Sequence, residues 1–198
     1  MARILLLFAH PALEKSRVHA TILKHVQKVS DVTVNDLYQH YPFFDIDIKR
    51  EQELLLSHDI FIFQHPLYWY SFPAIVKQWQ DLVLEHGWAY GRNGRMLEGK
   101  KLFHVISSGG RAESYKKDGY NAYSIQDFLR PVERTARLCR MEYWPPYVIH
   151  GTHRMEQKDI NIEASQYARL LSALCDDKIE KIETIGYLNE LLPILQSN

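Results

Sequence analysis

The chain has 198 residues, 46% hydrophobic and 24% charged, which suits one soluble globular domain with a sizeable core. Lys+Arg and Asp+Glu each total 24, so the formal net charge is zero and a general electrostatic nucleic-acid binder is excluded. The two cysteines, Cys139 and Cys175, form no CxxC pair, so neither a disulfide framework nor a structural zinc site is expected.

The amino-terminal stretch Met1–Pro11 carries an apolar run too short for a signal or a membrane span, and a cytoplasmic location is expected. Within it, Arg3–Ala9 is nearly unbroken in its hydrophobicity, the pattern of a strand buried on both faces of a parallel sheet. Val18, Ile22, Val26 and Val29 recur at helical spacing, and Val32–Leu37 alternates as a second strand. After a Pro-containing turn, Asp47 is placed to cap a short helix reaching Ser57, whose charge run Lys49-Arg50-Glu51 reads as a solvated face. Asp59–Phe63 reads as a third strand, Gln64–Pro73 as a loop, and Ala74–Glu85 as an amphipathic helix. Lys101–Ser107 is the fourth strand and ends in Ser108-Gly109-Gly110. Ile125–Cys139 then reads as a helix, Tyr143–His150 as a fifth strand, and Asp159–Cys175 as a closing helix. Cys139, at the end of an apolar helix, reads as buried rather than reactive.

Strands and helices alternating at this spacing imply right-handed βαβ units and a sheet covered on both faces, and five strands suit the doubly wound order 2-1-3-4-5. Residues 1–175 make one domain. Residues 176–198 form an extension, in which Ile182–Leu195 has the composition of a helix packing on the domain or on a partner, or of a loosely attached end.

Ligands of open α/β sheets bind outside the carboxyl ends of the strands, near the switch in strand order. Three loops occupy those ends. His10–His19 lacks GxGxxG and the Walker lysine, yet offers His10, Ser16 and the amides around Arg17, Val18 and His19 at a helix start, which suit a phosphate. An ordinary strand-to-helix turn capped by Ser16 explains the same residues. In the second loop, Pro66-Leu67-Tyr68-Trp69-Tyr70-Ser71-Phe72-Pro73 sets four aromatics between two prolines, suited to stacking on a flat heteroaromatic ligand or to packing on a neighbour. In the third, Ser107 and Ser108 precede Gly109 and Gly110, which allow close backbone approach, and Tyr115, Tyr120, Asn121 and Tyr123 follow. Together the loops suit a planar ligand with a phosphate tail. His150 and His153 stand three apart with no accompanying ligand motif, so no metal is expected.

Several stretches carry a resemblance: Ala9-His10-Pro11, Asp36-Leu37-Tyr38 with Tyr41-Pro42, Ile46-Asp47-Ile48 with Glu51-Gln52, and Gln64-His65-Pro66-Leu67. Others are Trp69-Tyr70-Ser71, His86-Gly87-Trp88-Ala89-Tyr90-Gly91, and Leu97 with Gly99-Lys100. From Arg3 to Leu174 the chain resembles the flavodoxin-like NAD(P)H:quinone oxidoreductases, and among them the ancillary flavoproteins of glutathione-regulated potassium-efflux (Kef) systems. The resemblance implies a three-layer flavodoxin-like sandwich with a five-stranded parallel sheet and helices on both faces.

It further implies FMN, rather than FAD, as cofactor, NAD(P)H as hydride donor, and a quinone or similar small electrophile as acceptor. It places His10 and Ser16–His19 around the phosphate and ribityl chain, Leu67–Tyr70 along the ring, and Ser107–Gly110 at its polar edge. Tyr115 and Asn121 fall at positions where relatives stabilise charge on the reduced flavin. Asn121 stands where the larger reductases have a histidine, and Arg111 where close relatives often have glycine. Asparagine donates and accepts hydrogen bonds but takes up no proton near neutral pH. A homodimer and an inner-membrane potassium/proton antiporter are the implied partners. The alternative is a mainly regulatory subunit whose flavin stabilises a docking surface.

Overall fold

A computed structural model describes residues 1–179 and 185–196. Its sheet is parallel throughout, in the order β2-β1-β3-β4 with two short strands sharing the fifth position. The strands are β1 (Ile4–Phe8), β2 (Val32–Asp36), β3 (Ile60–Pro66), β4 (Lys101–Ser107), β5 (Glu142–Tyr143) and β6 (Tyr147–Ile149). The helices are α1 (Arg17–Val26), α2 (Leu37–His40), α3 (Ile48–Ser57), α4 (Ala74–Val83), α5 (Ile125–Leu138), α6 (Gln157–Cys175) and α7 (Leu192–Gln196). This is the expected sandwich and strand order, with a sixth strand added.

β1 lies between β2 and β3 and is wholly buried, so it needs the unbroken run Ile4–Phe8. Its alternation feeds two cores. Ile4 and Leu6 pack with Val18, Ile22 and Val26 of α1 and with Ile160, Ala164 and Leu171 of α6. Leu5 and Leu7 pack on the other face with Leu55 of α3, Ile75 and Trp79 of α4, and Val132 of α5. Each such aliphatic side chain contributes about 1.5–3 kcal/mol on burial.

Chain direction sets the layers. The crossover from β1 to β2 moves one way along the sheet, whereas those to β3, β4 and beyond move the other. Right-handed crossovers of opposite direction put their helices on opposite faces, and a crevice opens between α1 and the loop after β3.

Two strand readings are corrected. β3 continues through Gln64, His65 and Pro66, which pair in register with Val105, Ile106 and Ser107 of β4. These polar residues are fully buried, and the proline at the strand end sacrifices no central ladder bond. The fifth strand is broken. Trp144 still donates its N–H to the carbonyl of Leu102 at 2.8 Å, but Pro145 and Pro146 have no N–H to give, and pairing resumes at Tyr147.

The run Lys49-Arg50-Glu51 is also not a uniformly solvated face, because Glu51 is completely buried. Its Oε1 accepts from Tyr41 OH at 2.6 Å and from an Arg50 guanidinium nitrogen at 2.5 Å. Its Oε2 accepts from Trp79 Nε1 at 2.7 Å and from Asn35 Nδ2 at 2.8 Å. The buried carboxylate thereby ties β2, α3 and α4 together, and with burial it pushes the Tyr41 hydroxyl up to about 12.

Residues 182–184 of the expected C-terminal helix lie outside the described residues. The rest of that stretch holds a 3-10 turn at Leu188–Leu191 followed by α7, with Leu188 and Leu192 buried against the α1–α6 core. The Asn189 amide pairs with both backbone groups of Val148, accepting its N–H at 2.8 Å and donating to its carbonyl at 3.1 Å. A side chain thus closes the outer edge of β6. No described helix is long and apolar enough to cross a membrane.

Candidate functional site

The loops after β1, β3 and β4 leave adjacent strands and enclose a cleft of about 450 Å³, within the size range of small-molecule sites. One end is the start of α1. Ser16 caps the helix, its Oγ accepting the N–H of His19 at 3.2 Å. The first-turn amides of Arg17 and Val18 have no intrahelical acceptor, and both residues line the cleft with Lys15 and Ser16. The Arg17 guanidinium donates to the carbonyl of Met155 at 3.0 Å. Two basic side chains and a helix start make this end an anion cradle.

The opposite wall comes from Pro66, Leu67 and Tyr68. Leu67 donates its N–H to the Ser107 carbonyl at 2.8 Å, after which Tyr68 and Ser71 exchange backbone bonds at 3.2 and 2.9 Å. Between them Trp69 and Tyr70 have φ of 51° and 60°, the left-handed pair of a type I′ hairpin turn that Asn-Gly usually fills. Bulky side chains there cost about 1–2 kcal/mol each. Helix α5 and the loop before it hold the turn in place: the Tyr70 ring lies 5.1 Å from Phe128, and its hydroxyl donates to Asn121 Oδ1 at 3.3 Å. As a result Tyr68 faces His10 at 6.2 Å between rings, while Trp69 projects outward, 93% exposed.

Ser107 and Gly109 form the floor. Gly109 leaves room there for the His153 ring, whose Nε2 would stand 2.3 Å from an added Cβ. Beneath the floor is a buried polar cluster. His10 accepts the Ala12 N–H on Nδ1 at 3.1 Å, and its ring lies 5.2 Å from that of His19. Gln64 Nε2 donates to His19 Nδ1 at 3.3 Å, which leaves His19 Nε2 to donate to Ser107 Oγ at 2.8 Å. With that acceptor site filled, the Ser107 hydroxyl retains its own hydrogen for a ligand. Burial holds His19 down to about 3 and lowers His10 as well, so both rings are neutral at pH 7.

Of the residues expected to bind cofactor, His10, Ser16, Arg17, Val18, Leu67, Tyr68, Ser107 and Gly109 line this one cleft. His19 lies behind its wall and acts through Ser107 and Ser16. Trp69 and Tyr70 form the turn beyond it. Ser108 is turned aside, donating to the Gly110 carbonyl at 2.9 Å with His150 Nδ1 3.1 Å away. Tyr115 is buried with Ile106, Ile125 and Leu129, its hydroxyl 3.1 Å from where a Gly110 Cβ would stand. Asn121 braces Tyr70. Tyr115 and Asn121 are therefore not brought to the walls of the cleft in this structure. Sequence reasoning did not single out Ala12, Lys15, Pro66, Thr152 and His153, which complete the lining. The last two follow β6, and the strand-end rule that identified three loops also covers this fourth.

Residues 2–171 match the flavodoxin-like fold family. The glutathione-regulated potassium-efflux system ancillary protein KefG of Enterobacter sp. is 44% identical over 172 residues, covering 87% of this chain and 94% of that protein. The crystal structure of general stress protein 14 from Treponema denticola in complex with FMN superposes with a TM-score of 0.83 at 38% identity, covering 87% of this chain and 99% of that one. An NADPH-quinone reductase from P. pentosaceus superposes with a TM-score of 0.74 at 32% identity, covering 84% and 97%.

Proposed function

The chain belongs to the flavodoxin-like fold family, in company with quinone reductases and potassium-efflux ancillary proteins, and from that premise we propose that it is an FMN-dependent NAD(P)H:quinone oxidoreductase. The observation that carries this reading is the cleft, basic and amide-rich at one end, apolar along one wall and open to backbone approach at Gly109. Lys15, Ser16, Arg17 and the amides of α1 would hold the phosphate. Pro66, Leu67 and Tyr68 would flank the ring, and Ser107 would donate to its polar edge. When bound, the flavin supplies the two-electron hydride chemistry, and the protein supplies placement and exclusion of water.

Tyr115 and Asn121 are assigned roles through the backbone they support, at Gly110 and Tyr70. A homodimer in the cytoplasm is the proposed working form, with the exposed Trp69 turn beside the mouth of the cleft. Purified protein should be yellow and release FMN, identified by mass. NADPH or NADH should bleach it without oxygen, and a quinone should restore the colour. Colourless protein that captures no added FMN would overturn the cofactor assignment, and flavin left oxidised by both nucleotides would overturn the activity.

A second reading is regulation of a membrane potassium-efflux system, favoured by the 44% identity to an ancillary protein and by the 93% exposure of Trp69 on a strained turn. Co-expression with a cognate efflux system should raise potassium efflux, and Trp69→Ala should reduce the effect. Efflux unchanged by the parent protein would remove this reading.

A further inference from the structure

On the α4–α5 side of the sheet, three polar side chains lie under the wall of the cleft. His65 of β3 and His104 of β4 are completely buried, with His65 Nε2 2.9 Å from His104 Nδ1. His65 Nδ1 lies 3.0 Å from the carbonyl oxygen of Pro66. A carbonyl can only accept, so His65 carries its hydrogen on Nδ1. Burial keeps that ring neutral, held down to about 4, which leaves Nε2 as a bare acceptor. His104 must then donate from Nδ1, and its own Nε2 becomes an acceptor with no partner among the described residues. The Tyr143 hydroxyl is likewise buried with no partner among them, on a ring whose centroid is 6.2 Å from that of His104. One orphan is an acceptor and the other carries a hydrogen to donate, on neighbouring rings. Buried polar groups are rarely left so, and ordered water commonly completes such gaps.

We propose that Tyr143, His104 and His65 form a one-directional hydrogen-bond relay, closed through one buried water between Tyr143 and His104, that positions the Pro66–Leu67 peptide at the wall of the cleft. That peptide is clamped at both ends, its C=O by His65 and its N–H by the Ser107 carbonyl at 2.8 Å. The strained turn carrying Tyr68 begins one residue later, so the relay fixes the direction in which the turn departs. It is not a proton wire, because a carbonyl at its end passes no proton onward. His65 and His104 are positioning residues. Their bearing on a bound flavin rests on the reading of the previous section, whereas the relay does not.

The test is a long-range proton–nitrogen correlation spectrum of protein labelled with ¹⁵N-histidine, at neutral pH. Both rings should be Nδ1–H tautomers, and Tyr143→Phe should move the His104 Nε2 resonance toward that of a free imidazole acceptor. A His104 ring protonated on Nε2, or a resonance indifferent to Tyr143→Phe, would overturn the relay. For positioning, His104→Leu should weaken FMN capture by the apoprotein about tenfold and alter the visible circular dichroism of bound flavin. His104→Asn, which retains a donor toward His65, should restore both. Parent-like affinity and dichroism in His104→Leu would overturn the positioning role. If that variant fails to fold, Tyr143→Phe carries the same readouts, with the same outcomes deciding. A protein with the expected tautomers that captures no FMN would sink the functional reading and leave the relay standing.

Discussion

Glu51→Gln is the sharpest probe of how the fold is held, because the change alters one atom in a closed cage. Five hydrogen bonds converge on the two carboxylate oxygens of this completely buried residue, from Asn35 twice, Tyr41, Arg50 and Trp79. An amide keeps one acceptor oxygen and replaces the other with a donor. The least costly orientation leaves the oxygen toward Tyr41 and Arg50 and turns the NH₂ toward Trp79 and Asn35. The Trp79 indole can only donate, so its N–H is left facing another donor in a dry site. An unsatisfied buried donor costs about 1–3 kcal/mol, and loss of charge assistance in the surviving bonds brings the total to roughly 2–4 kcal/mol. For a domain of this size, that lowers Tm by about 5–12 °C. Arg50→Gln tests the same cage from its outer side. Its own side chain is 36% exposed, but the groups it serves, Glu51 and Asn35, are buried, so removing the guanidinium leaves the carboxylate without its countercharge and should cost about 2–4 kcal/mol. Thermal unfolding followed by circular dichroism measures both. A Glu51→Gln or an Arg50→Gln protein melting with the parent would refute the cage as described.

Gly109→Ala separates site from stability. Its Cβ meets the ring of His153, which is exposed and free to swing, so unfolding should change by less than about 1 kcal/mol while FMN binding weakens about tenfold or more. Gly94→Ala sets a Cβ 2.1 Å from the backbone oxygen of Tyr90 and should do the reverse; equal flavin titrations for parent and Gly109→Ala would contradict the cleft. Acid should destabilise the protein early. Burial holds His19 near 3 and His65 near 4, against 6.5 in the unfolded chain. Below that value the unfolded state takes up protons the folded state refuses. Stability is therefore complete above about pH 6.5 and falls toward pH 4 by about 1.4 kcal/mol per pH unit for each ring. Urea unfolding with equal free energies near neutrality and two units below it would show that these rings are not held neutral. Asn189→Ala removes the cap on the edge of β6, which should cost about 1–2 kcal/mol and promote edge-to-edge association, read by urea midpoint and light scattering. An unchanged midpoint with no added scattering would make the cap dispensable.

The fold class and strand order were legible because they rest on local pattern. A fully buried central strand requires an unbroken apolar run such as Ile4–Phe8, α1 and α3 announce themselves by period and cap, and α4 by period after Pro73. The misread boundaries lie where burial and polarity part company. Gln64 and His65 read as loop residues because they are polar, yet each finds a buried partner, in His19 of α1 and His104 of β4. Glu51 read as solvated for the same reason. Its cage comes from positions 35, 41, 50 and 79, only one of them adjacent, and no window along the chain contains them all. The helix Leu37–His40, four residues long and capped by Asp36, is too short to carry a period.

For the site, the strand-end rule identifies which loops matter but not which way their side chains turn. Tyr115 and Asn121 belong to the right loop but are not among the residues lining the cleft; one packs in a core cluster and the other bonds Tyr70. His153 was weighed only as a metal ligand from its spacing to His150, whereas its place beyond the last strand is what sets it against Gly109. What emerges is a division of labour along the cleft. The fixed charge lies in Lys15 and Arg17 at the helix start, which attract an anion by field as well as by contact. The other end is shaped by neutral groups, the His10–His19–Ser107 cluster and the His65–His104 pair, whose burial forbids ionisation and whose partners dictate tautomers. Such groups bring no net charge to a ring whose own charge changes on reduction, and they reorganise little when it does. On the proposed function, the charged end would govern capture, and the neutral end the geometry in which a captured ring is held.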